Sequence, residues 1–157
     1  MKSARGCLTM TTTDYLLDTN ACIAIRQLLA NKLPKNKDRL RNIEAVRQRW
    51  QQVPAQTLAM SLITLGELEF GVATSTAVDA HQRLAALRAE VQLLIPDAVV
   101  AGHYGLVRHQ LEKAGQGIGP NDTWIAAHGL ASSRTVVTNN IKEFGRVAGL
   151  NIEDWTA

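Results

Sequence analysis

The sequence predicts an α/β fold, a three-layer α/β/α sandwich with a central parallel sheet of four to five strands. Short apolar runs alternate along the chain with longer segments in which apolar residues recur at helical spacing. Several of the runs are almost continuously apolar, which is typical of strands buried on both faces of a helix-covered sheet. The 157 residues, 46% of them hydrophobic, are enough to build one substantial core.

The first half of the chain is expected to supply two strands and four helices. A short apolar run ends at Asp18, and apolar residues with helical spacing follow it. Pro54 closes the next amphipathic helix. A nearly continuous apolar run then precedes Thr64, which we predict to be the N-cap of a helix with Glu67 in its first turn. The predicted elements are a strand at 15–17, helices at about 21–29 and 43–53, a strand at 58–63, and helices at about 64–72 and 77–91.

The second half is expected to add three strands and two helices. Pro96 stops a short apolar run, and Gly115 ends the long helix that follows. Pro120 suits the first position of another helix, and a β-branched run comes after that helix. The predicted elements are a strand at 92–95, a helix at about 100–114, a helix at 121–131, and strands at 135–138 and 150–152.

Composition argues against secreted and membrane-spanning proteins. No stretch approaches 18 consecutive apolar residues, so no membrane segment is expected. The chain has two cysteines, Cys7 and Cys22, and their spacing fits no disulfide framework, which favours a reducing, cytoplasmic location. Residues 1–13 are polar and are expected to form a disordered N-terminal extension, which leaves a single domain at 14–157.

Three acidic residues follow the pattern of strands and helices. Asp18 closes the first strand, Glu67 lies in a helix after the second, and Asp122 begins the helix before the fourth. In an open α/β sheet these are positions at the carboxyl edge, where ligand sites form. Carboxylates that converge without basic partners repel one another, and a hard divalent cation compensates them. The pattern therefore indicates a site for Mg²⁺ or Mn²⁺.

Each acid also has a purely structural explanation. Asp18 can cap the following helix, Glu67 can be the second half of a capping box, and Asp122 can favour a helix dipole. Taken singly, these explanations are the better ones. Independent caps, however, have no reason to be distributed over three elements that meet at one edge.

The same residues belong to motifs that resemble those of a known family. In order along the chain, the motifs are Leu17-Asp18-Thr19-Asn20, the segment 61–71, the segment 119–128, the segment 136–144 and Ile152-Glu153-Asp154-Trp155. Together they cover nearly the whole chain from residue 14 onward, and they resemble the successive signatures of the PIN-domain VapC toxins. The resemblance implies a PIN-like fold for the domain.

The resemblance also implies which residues form the active site. Asp18, Glu67 and Asp122 match the family's metal-binding and catalytic acids, and Asn140 stands at a fourth position that is often Asp. An Asn carbonyl can still bind a hard cation or orient a water, but it brings no charge, so one or two ions are expected. Glu143 could replace the missing acid, although a solvated surface position is the favoured interpretation.

An activity and partners follow from the resemblance. It implies the toxin of a type II toxin-antitoxin system, an endoribonuclease dependent on Mg²⁺ or Mn²⁺ that inhibits translation and growth by cutting tRNA or another structured RNA. The implied products carry 5′-phosphate and 3′-hydroxyl ends. The implied partners are the RNA substrate and a cognate VapB-type antitoxin, in a homodimer or a toxin-antitoxin hetero-oligomer away from any membrane.

Two further sets of residues are candidates for supporting roles. A basic segment between residues 32 and 49 could bind RNA phosphates, although a solvated helix face explains it equally well. The RNA-binding candidates are Lys35, Lys37, Arg39, Arg41 and, from outside the segment, Arg146. Small polar residues beside the acids could orient ligands or waters, and could also serve as turns and caps. They are Thr19, Asn20, Thr64, Asn121 and Thr138.

Two other functions fit parts of the pattern. A receiver-like phosphotransferase also binds Mg²⁺ through an acid at the end of its first strand, but the sequence lacks a second Asp adjacent to Asp18. An inactive PIN-like module that only binds RNA is suggested by Asn140. Catalysis by Cys22 or by a histidine such as His128 is disfavoured, because no nucleophile elbow and no zinc-type spacing is present.

Overall fold

The computed structural model describes residues 12–157, so nearly all of the predicted N-terminal extension at 1–13 lies outside the described residues. The strands are β1 (Tyr15–Leu17), β2 (Leu58–Ser61), β3 (Gln92–Leu94), β4 (Thr135–Val137) and β5 (Ile152–Glu153). The helices are α1 (Thr19–Leu29), α2 (Lys37–Gln52), α3 (Leu62–Thr74), α4 (Ala80–Glu90), α5 (Ala98–Lys113), α6 (Pro120–Ala131) and α7 (Ile141–Phe144). A 3₁₀ turn (Ala55–Thr57) leads into β2.

All five strands are parallel, in the order β3-β2-β1-β4-β5. The predicted parallel sheet and three-layer architecture are therefore confirmed. β1 lies at the centre, between β2 and β4, and all five carboxyl ends point to the same edge. The order of the strands reverses about β1, and this is the type of edge where ligands bind in open α/β sheets.

The two faces of the sheet carry separate cores. In β1, Tyr15 and Leu17 face the core formed with α1 to α4, whereas Leu16 faces the core formed with α5, α6 and α7. This alternation follows from the two-residue period of a strand. It explains why the apolar runs are nearly continuous, because both faces of the strands are buried.

The helix α6 packs unusually close to β4. An added Cβ at Gly129 would lie 2.7 Å from Cγ2 of Val136 and 3.1 Å from Cδ1 of Leu150. Only a residue without a side chain fits between helix and strand at this approach. Gly129 thereby sets the distance of α6, the helix that carries Asp122, from the sheet.

Several predicted boundaries are wrong, and α2, for example, begins at Lys37 instead of about residue 43. Ser61, not Thr64, is the N-cap of α3, because β2 ends at Ser61 and its Oγ accepts the Ile63 amide at 3.3 Å. Thr64 is buried inside the helix, so Glu67 lies beyond the first turn and takes no part in a capping box. The last strand is Ile152–Glu153 instead of 150–152, because the chain first turns at Gly149, whose φ of 79° is left-handed.

No helix between residues 12 and 157 combines the length and the apolar character that a membrane crossing requires.

Candidate active site

Asp18 lies at the carboxyl end of β1 and is the N-cap of α1. Its Oδ1 accepts the Ala21 amide at 2.8 Å, and the Thr138 hydroxyl, just after β4, donates to the same carboxyl group. The side chain is only 5% exposed. The pKa of Asp18 is raised to about 6. Burial is the largest cause and the charges of Asp122 and Glu67 add to it, whereas the two hydrogen bonds oppose the rise.

Glu67 connects three helices at this edge. Its Oε2 accepts the hydroxyl of Thr19 from α1, and its Oε1 accepts Nδ2 of Asn121 from α6 at 2.9 Å. Asp122 follows Asn121 in the first turn of α6. The pKa of Asp122 is raised, first by burial and then by the charges of Glu143 and Glu67. The three predicted acids are thus close enough for their charges to interact.

A fourth acid reaches this group from α7. Glu143 is half-buried, and its Oε2 accepts Nδ2 of Asn140 at 2.7 Å. Its charge contributes to the raised pKa of Asp122. The favoured interpretation of Glu143 as a solvated surface acid is therefore wrong. Asn140, the predicted fourth site residue, holds the Glu143 carboxylate through its amide and donates its own backbone amide to Thr138 Oγ1 at 2.9 Å.

The donor set suits a hard divalent cation. Four carboxylates face this edge, and no salt bridge among residues 12–157 compensates any of them. Carboxylate oxygens are the ligands that Mg²⁺ and Mn²⁺ prefer. In the described part of the chain, however, no three Asp, Glu, His or Cys side chains already form a group that could hold an ion. Both glutamates are turned toward asparagine amides, so bringing them to a shared ion requires side-chain rotation.

The small polar residues divide into two groups. Thr19, Asn121 and Thr138 each donate a hydrogen bond to one of the acids, as a supporting role requires. Asn20 instead contacts none of the acids, and its exposed side chain donates through Nδ2 to Asn139 Oδ1 at 3.4 Å. Thr64 is fully buried, and its hydroxyl has no hydrogen-bond partner among the described residues.

The residues of the basic segment also fall into two groups, with and without salt bridges. Lys32, Arg47 and Arg49 form salt bridges with Asp79, Glu44 and Glu153. Four exposed cations at the start of α2 and just before it form none with any residue from 12 to 157: Lys35, Lys37, Arg39 and Arg41. Arg146 donates to the backbone carbonyls of Gln116 and Gly117, which ties the turn after α7 to the loop between α5 and α6. A role for these residues in RNA binding stays a prediction.

Sequence reasoning missed one buried contact that fixes the geometry. Nδ1 of His128 in α6 lies 2.9 Å from Oγ of Ser61, the residue that caps α3. Burial lowers the pKa of His128, which favours the neutral ring. The contact ties the helix of Asp122 to the helix of Glu67. No local spacing in the sequence indicates such a pair, because 67 residues separate its members.

Comparisons with known proteins agree with this fold and show the family. The family model described as "PIN domain" matches residues 15–150. Ribonuclease VapC2 of Rickettsia felis is 36% identical over 142 residues, which cover 90% of this chain and 97% of the relative. A protein of Salmonella typhimurium named tRNA(fMet)-specific endonuclease VapC is 35% identical over 144 residues, with 90% and 97% covered. The solved structure of VapBC-1 from nontypeable Haemophilus influenzae superposes with a TM-score of 0.73 at 33% identity, and covers 92% of this chain and all of that one.

Proposed function

The chain belongs to the PIN-domain family, among its VapC ribonucleases, and we propose that it cuts RNA with Mg²⁺ or Mn²⁺ held by Asp18, Glu67 and Asp122. As a VapC-type ribonuclease it is the toxin of a type II toxin-antitoxin system. The observation that carries the proposed site is the uncompensated group of carboxylates at the carboxyl edge of the sheet. Family membership excludes the receiver-like phosphotransferase, and the inactive RNA-binding module is tested by the metal dependence of cleavage.

The residues around the acids orient their carboxylates for binding the metal. When bound, the cation lowers the pKa of an attacking water and offsets negative charge at the scissile phosphate. Asp18 is aimed by the Ala21 amide and the Thr138 hydroxyl, which also favour its ionised form. Thr19 and Asn121 fix the Glu67 carboxylate from both sides. Because their positions are set by strand ends and helix starts, the acids need little rearrangement beyond side-chain rotation.

Glu143 supplies the charge that Asn140 lacks. The two side chains act as a unit, in which the Asn140 amide holds the Glu143 carboxylate near Asp122. With four acids at this edge, the site has enough negative charge for one ion or two. The ion count then depends on whether Glu143 turns from Asn140 to the metal.

Replacing Glu143 by Gln tests this assignment. We expect RNA cleavage to fall about 10-fold to 100-fold, the usual effect of removing a residue that supports a metal site, and the Mg²⁺ concentration for half-maximal cleavage to rise. Glu69→Gln is the matched control, because Glu69 is an exposed acid on α3 and lies outside the site. Equal activity of the two variants across a Mg²⁺ titration would remove Glu143 from the site.

The substrate class follows from the charges and from the relatives. Lys35, Lys37, Arg39 and Arg41 provide exposed cations for the phosphates that flank the cut, and this part of the affinity falls as salt is added. We extend to this chain the activity that names the Salmonella typhimurium relative, and propose a tRNA or another RNA with a single-stranded loop. Unstacked loop bases are the features that proteins read in structured RNA.

A VapB-type antitoxin is the protein partner, because the neighbouring solved structures are VapBC complexes. An uncompensated acidic edge attracts an arginine side chain from such a partner, since a guanidinium matches carboxylates in charge and geometry. The assembly is a homodimer of the toxin or a hetero-oligomer with the antitoxin. We propose the cytoplasm as the place of action, since RNA and antitoxin are made there.

Removal of the metal tests the proposed chemistry. Purified protein is incubated with total tRNA in excess EDTA, then after addition of Mg²⁺ or Mn²⁺, and the RNA ends are sequenced. We expect no cleavage in EDTA and recovery with either ion, since the acids alone cannot activate a water. Asp122→Asn serves as the inactive control. Cleavage that persists in EDTA, or that Asp122→Asn retains, would contradict the proposal.

A further inference from the structure

A cavity of about 460 Å³ lies beside the acids. It is formed by α1, α2, the end of β4 and the C-terminal residues after β5. Its volume falls within the range of about 300–1,000 Å³ that is usual for small-molecule sites. None of the four acids of the proposed site lines this space.

The cavity is adjacent to the acids through shared residues. Thr138 lines it, and the same hydroxyl donates to the Asp18 carboxylate. Ala21 also lines it and donates its amide to Asp18 at 2.8 Å. One residue therefore separates the cavity from the carboxylate that we assign to the metal. A ligand whose reacting atoms lie at the acids therefore places its neighbouring chemical group in the cavity.

The lining combines side-chain amides with a wall of apolar side chains. The amides come from Asn20, Gln27, Asn42 and Asn139, and part of the wall comes from Val137 and Trp155. Each amide can both donate and accept a hydrogen bond, which is what the edge of a nucleobase requires.

One carboxylate also lines the cavity. Oδ1 of Asp154 accepts the backbone amide and the hydroxyl of Thr156. A carboxylate can in addition accept a hydrogen bond from the exocyclic amine of a base.

The walls are held in place before any ligand arrives. Nε1 of Trp155 donates to Glu153 Oε2 at 2.9 Å, and Arg49 pairs with the same oxygen at 2.7 Å. The Arg49 guanidinium also lies over the Trp155 ring, 5.7 Å from its centre. Tyr15 packs edge-on against Trp155, with the two ring centres 5.3 Å apart. The C-terminal wall is therefore fixed to β1 and α2, and a ligand pays little entropy for ordering it.

Charge indicates the kind of ligand. Arg39 lines the cavity and forms no ion pair among residues 12–157, whereas Lys37 and Arg41 line a separate depression on another face of α2. The cavity therefore lies between the Arg39 guanidinium on one side and the acids assigned to the metal on the other. A strand of RNA matches this sequence of features, with a phosphate at Arg39, a base in the cavity and the next phosphate at the acids.

We propose that this cavity is a nucleobase subsite, which takes one unstacked base next to the scissile phosphate and contributes to the choice of cleavage position. The inference rests on the proposed ribonuclease function. Recognition uses the amides of Gln27 and Asn42 on the base edge and the apolar wall on the base face.

The test uses two changes of the cavity with a matched control. Gln27→Ala combined with Asn42→Ala removes the amides, and Ala24→Leu fills the space. Gln48→Ala combined with Gln51→Ala makes the same kind of change at exposed positions of α2 that do not line the cavity. None of these residues belongs to the proposed catalytic machinery. Thermal unfolding checks that each full-length variant folds.

The probe is a pool of stem-loop RNAs with random loops. The RNA is cut in Mg²⁺ and the new ends are sequenced; in parallel it is bound in EDTA and the bound fraction is sequenced. We expect the wild type and the control to favour one base at one position next to the cut by about 10-fold, the order that one bidentate contact gives. In both cavity variants this preference should fall below about 3-fold, with cleavage still dependent on Mg²⁺.

Each other outcome overturns the inference. Cleavage without base preference, or a preference that both cavity variants keep, shows that the cavity is no base subsite and leaves the ribonuclease intact. If the preference survives and Ala24→Leu abolishes binding of the co-expressed antitoxin, the cavity holds a protein partner instead. If the wild type neither cuts nor binds the pool, the ribonuclease assignment is itself refuted, and the subsite with it.

Discussion

Replacing Asp18 by Asn is expected to abolish RNA cleavage and, in the absence of divalent metal, to make the protein more stable at pH 7. Asp18 is buried, and its pKa is raised to about 6 from its ordinary value of 3.8, mainly by that burial. Holding this carboxylate ionised in the folded protein costs about 3 kcal/mol, an upper bound for the gain. Asn keeps the oxygen that accepts the Ala21 amide, so the cap of α1 is retained.

The direction of the predicted stability change follows from how the stability of the wild type depends on pH. Between about pH 4 and pH 6 the folded carboxyl group binds its proton more tightly than the unfolded one does. The free energy of unfolding of the wild type therefore falls as pH rises through this window. The variant has no carboxyl group at this position, so its advantage over the wild type should be small at about pH 4 and reach about 1–3 kcal/mol at pH 7. Urea unfolding in EDTA measures the difference.

The activity of the same variant is measured on total tRNA with Mg²⁺. We expect a loss of at least about 100-fold, because an acid bound to the metal matters more than the residues that support it. Asp14→Asn is the matched control, since Asp14 is an exposed acid just before β1 and should change neither activity nor stability appreciably. A variant that is inactive but less stable than the wild type at pH 7 would show that Asp18 stabilises the fold and is not a strained metal ligand.

Truncating Phe144 to Ala is expected to cost about 3–5 kcal/mol of the free energy of unfolding, the usual loss for a buried phenylalanine. Phe144 is 1% exposed and packs in the core formed by α5, α6 and α7. That loss is a large share of the roughly 5–15 kcal/mol by which a domain is stable. Phe144 is also the main apolar anchor of α7, a helix of four residues.

Truncating Phe144 should also lower RNA cleavage, because Glu143 precedes Phe144 in the same short helix. At a temperature well below the unfolding midpoint, cleavage by Phe144→Ala should fall toward the level of Glu143→Gln. The only other phenylalanine, Phe70, is 71% exposed, and Phe70→Ala should change stability by less than about 0.5 kcal/mol. A cost below about 1 kcal/mol for Phe144→Ala would mean that α7 is held by other contacts.

Periodicity along the sequence was sufficient to predict the sheet and most of the helices. Strands buried on both faces leave nearly continuous apolar runs, and the amphipathic helices between them leave apolar residues at helical spacing. Asp18, Glu67 and Asp122 could be placed at one edge because each follows a strand or begins a helix at the carboxyl side of a parallel sheet. The interactions among their charges agree with that placement.

The errors arose where local signals compete. Ser61 and Thr64 are both good N-cap residues, and the apolar residues between them fit the end of a strand as well as the start of a helix. Burial decides in favour of Ser61, whose hydroxyl also meets His128 at 2.9 Å. Glu143 was misjudged because its surroundings come from a turn and a four-residue helix, which have no periodicity to recognise.

The central position of β1 has a consequence for how the toxin is made. Asp18 lies between the partner strands of β1, yet Thr138, which orients it, is synthesised 120 residues later. A nascent chain that has not yet extended past β4 lacks half of the pairing of β1 and cannot assemble the edge where RNA is cut. Because α7 and β5 complete this edge later still, no functional nuclease exists beside the ribosome until the chain has been synthesised past β5.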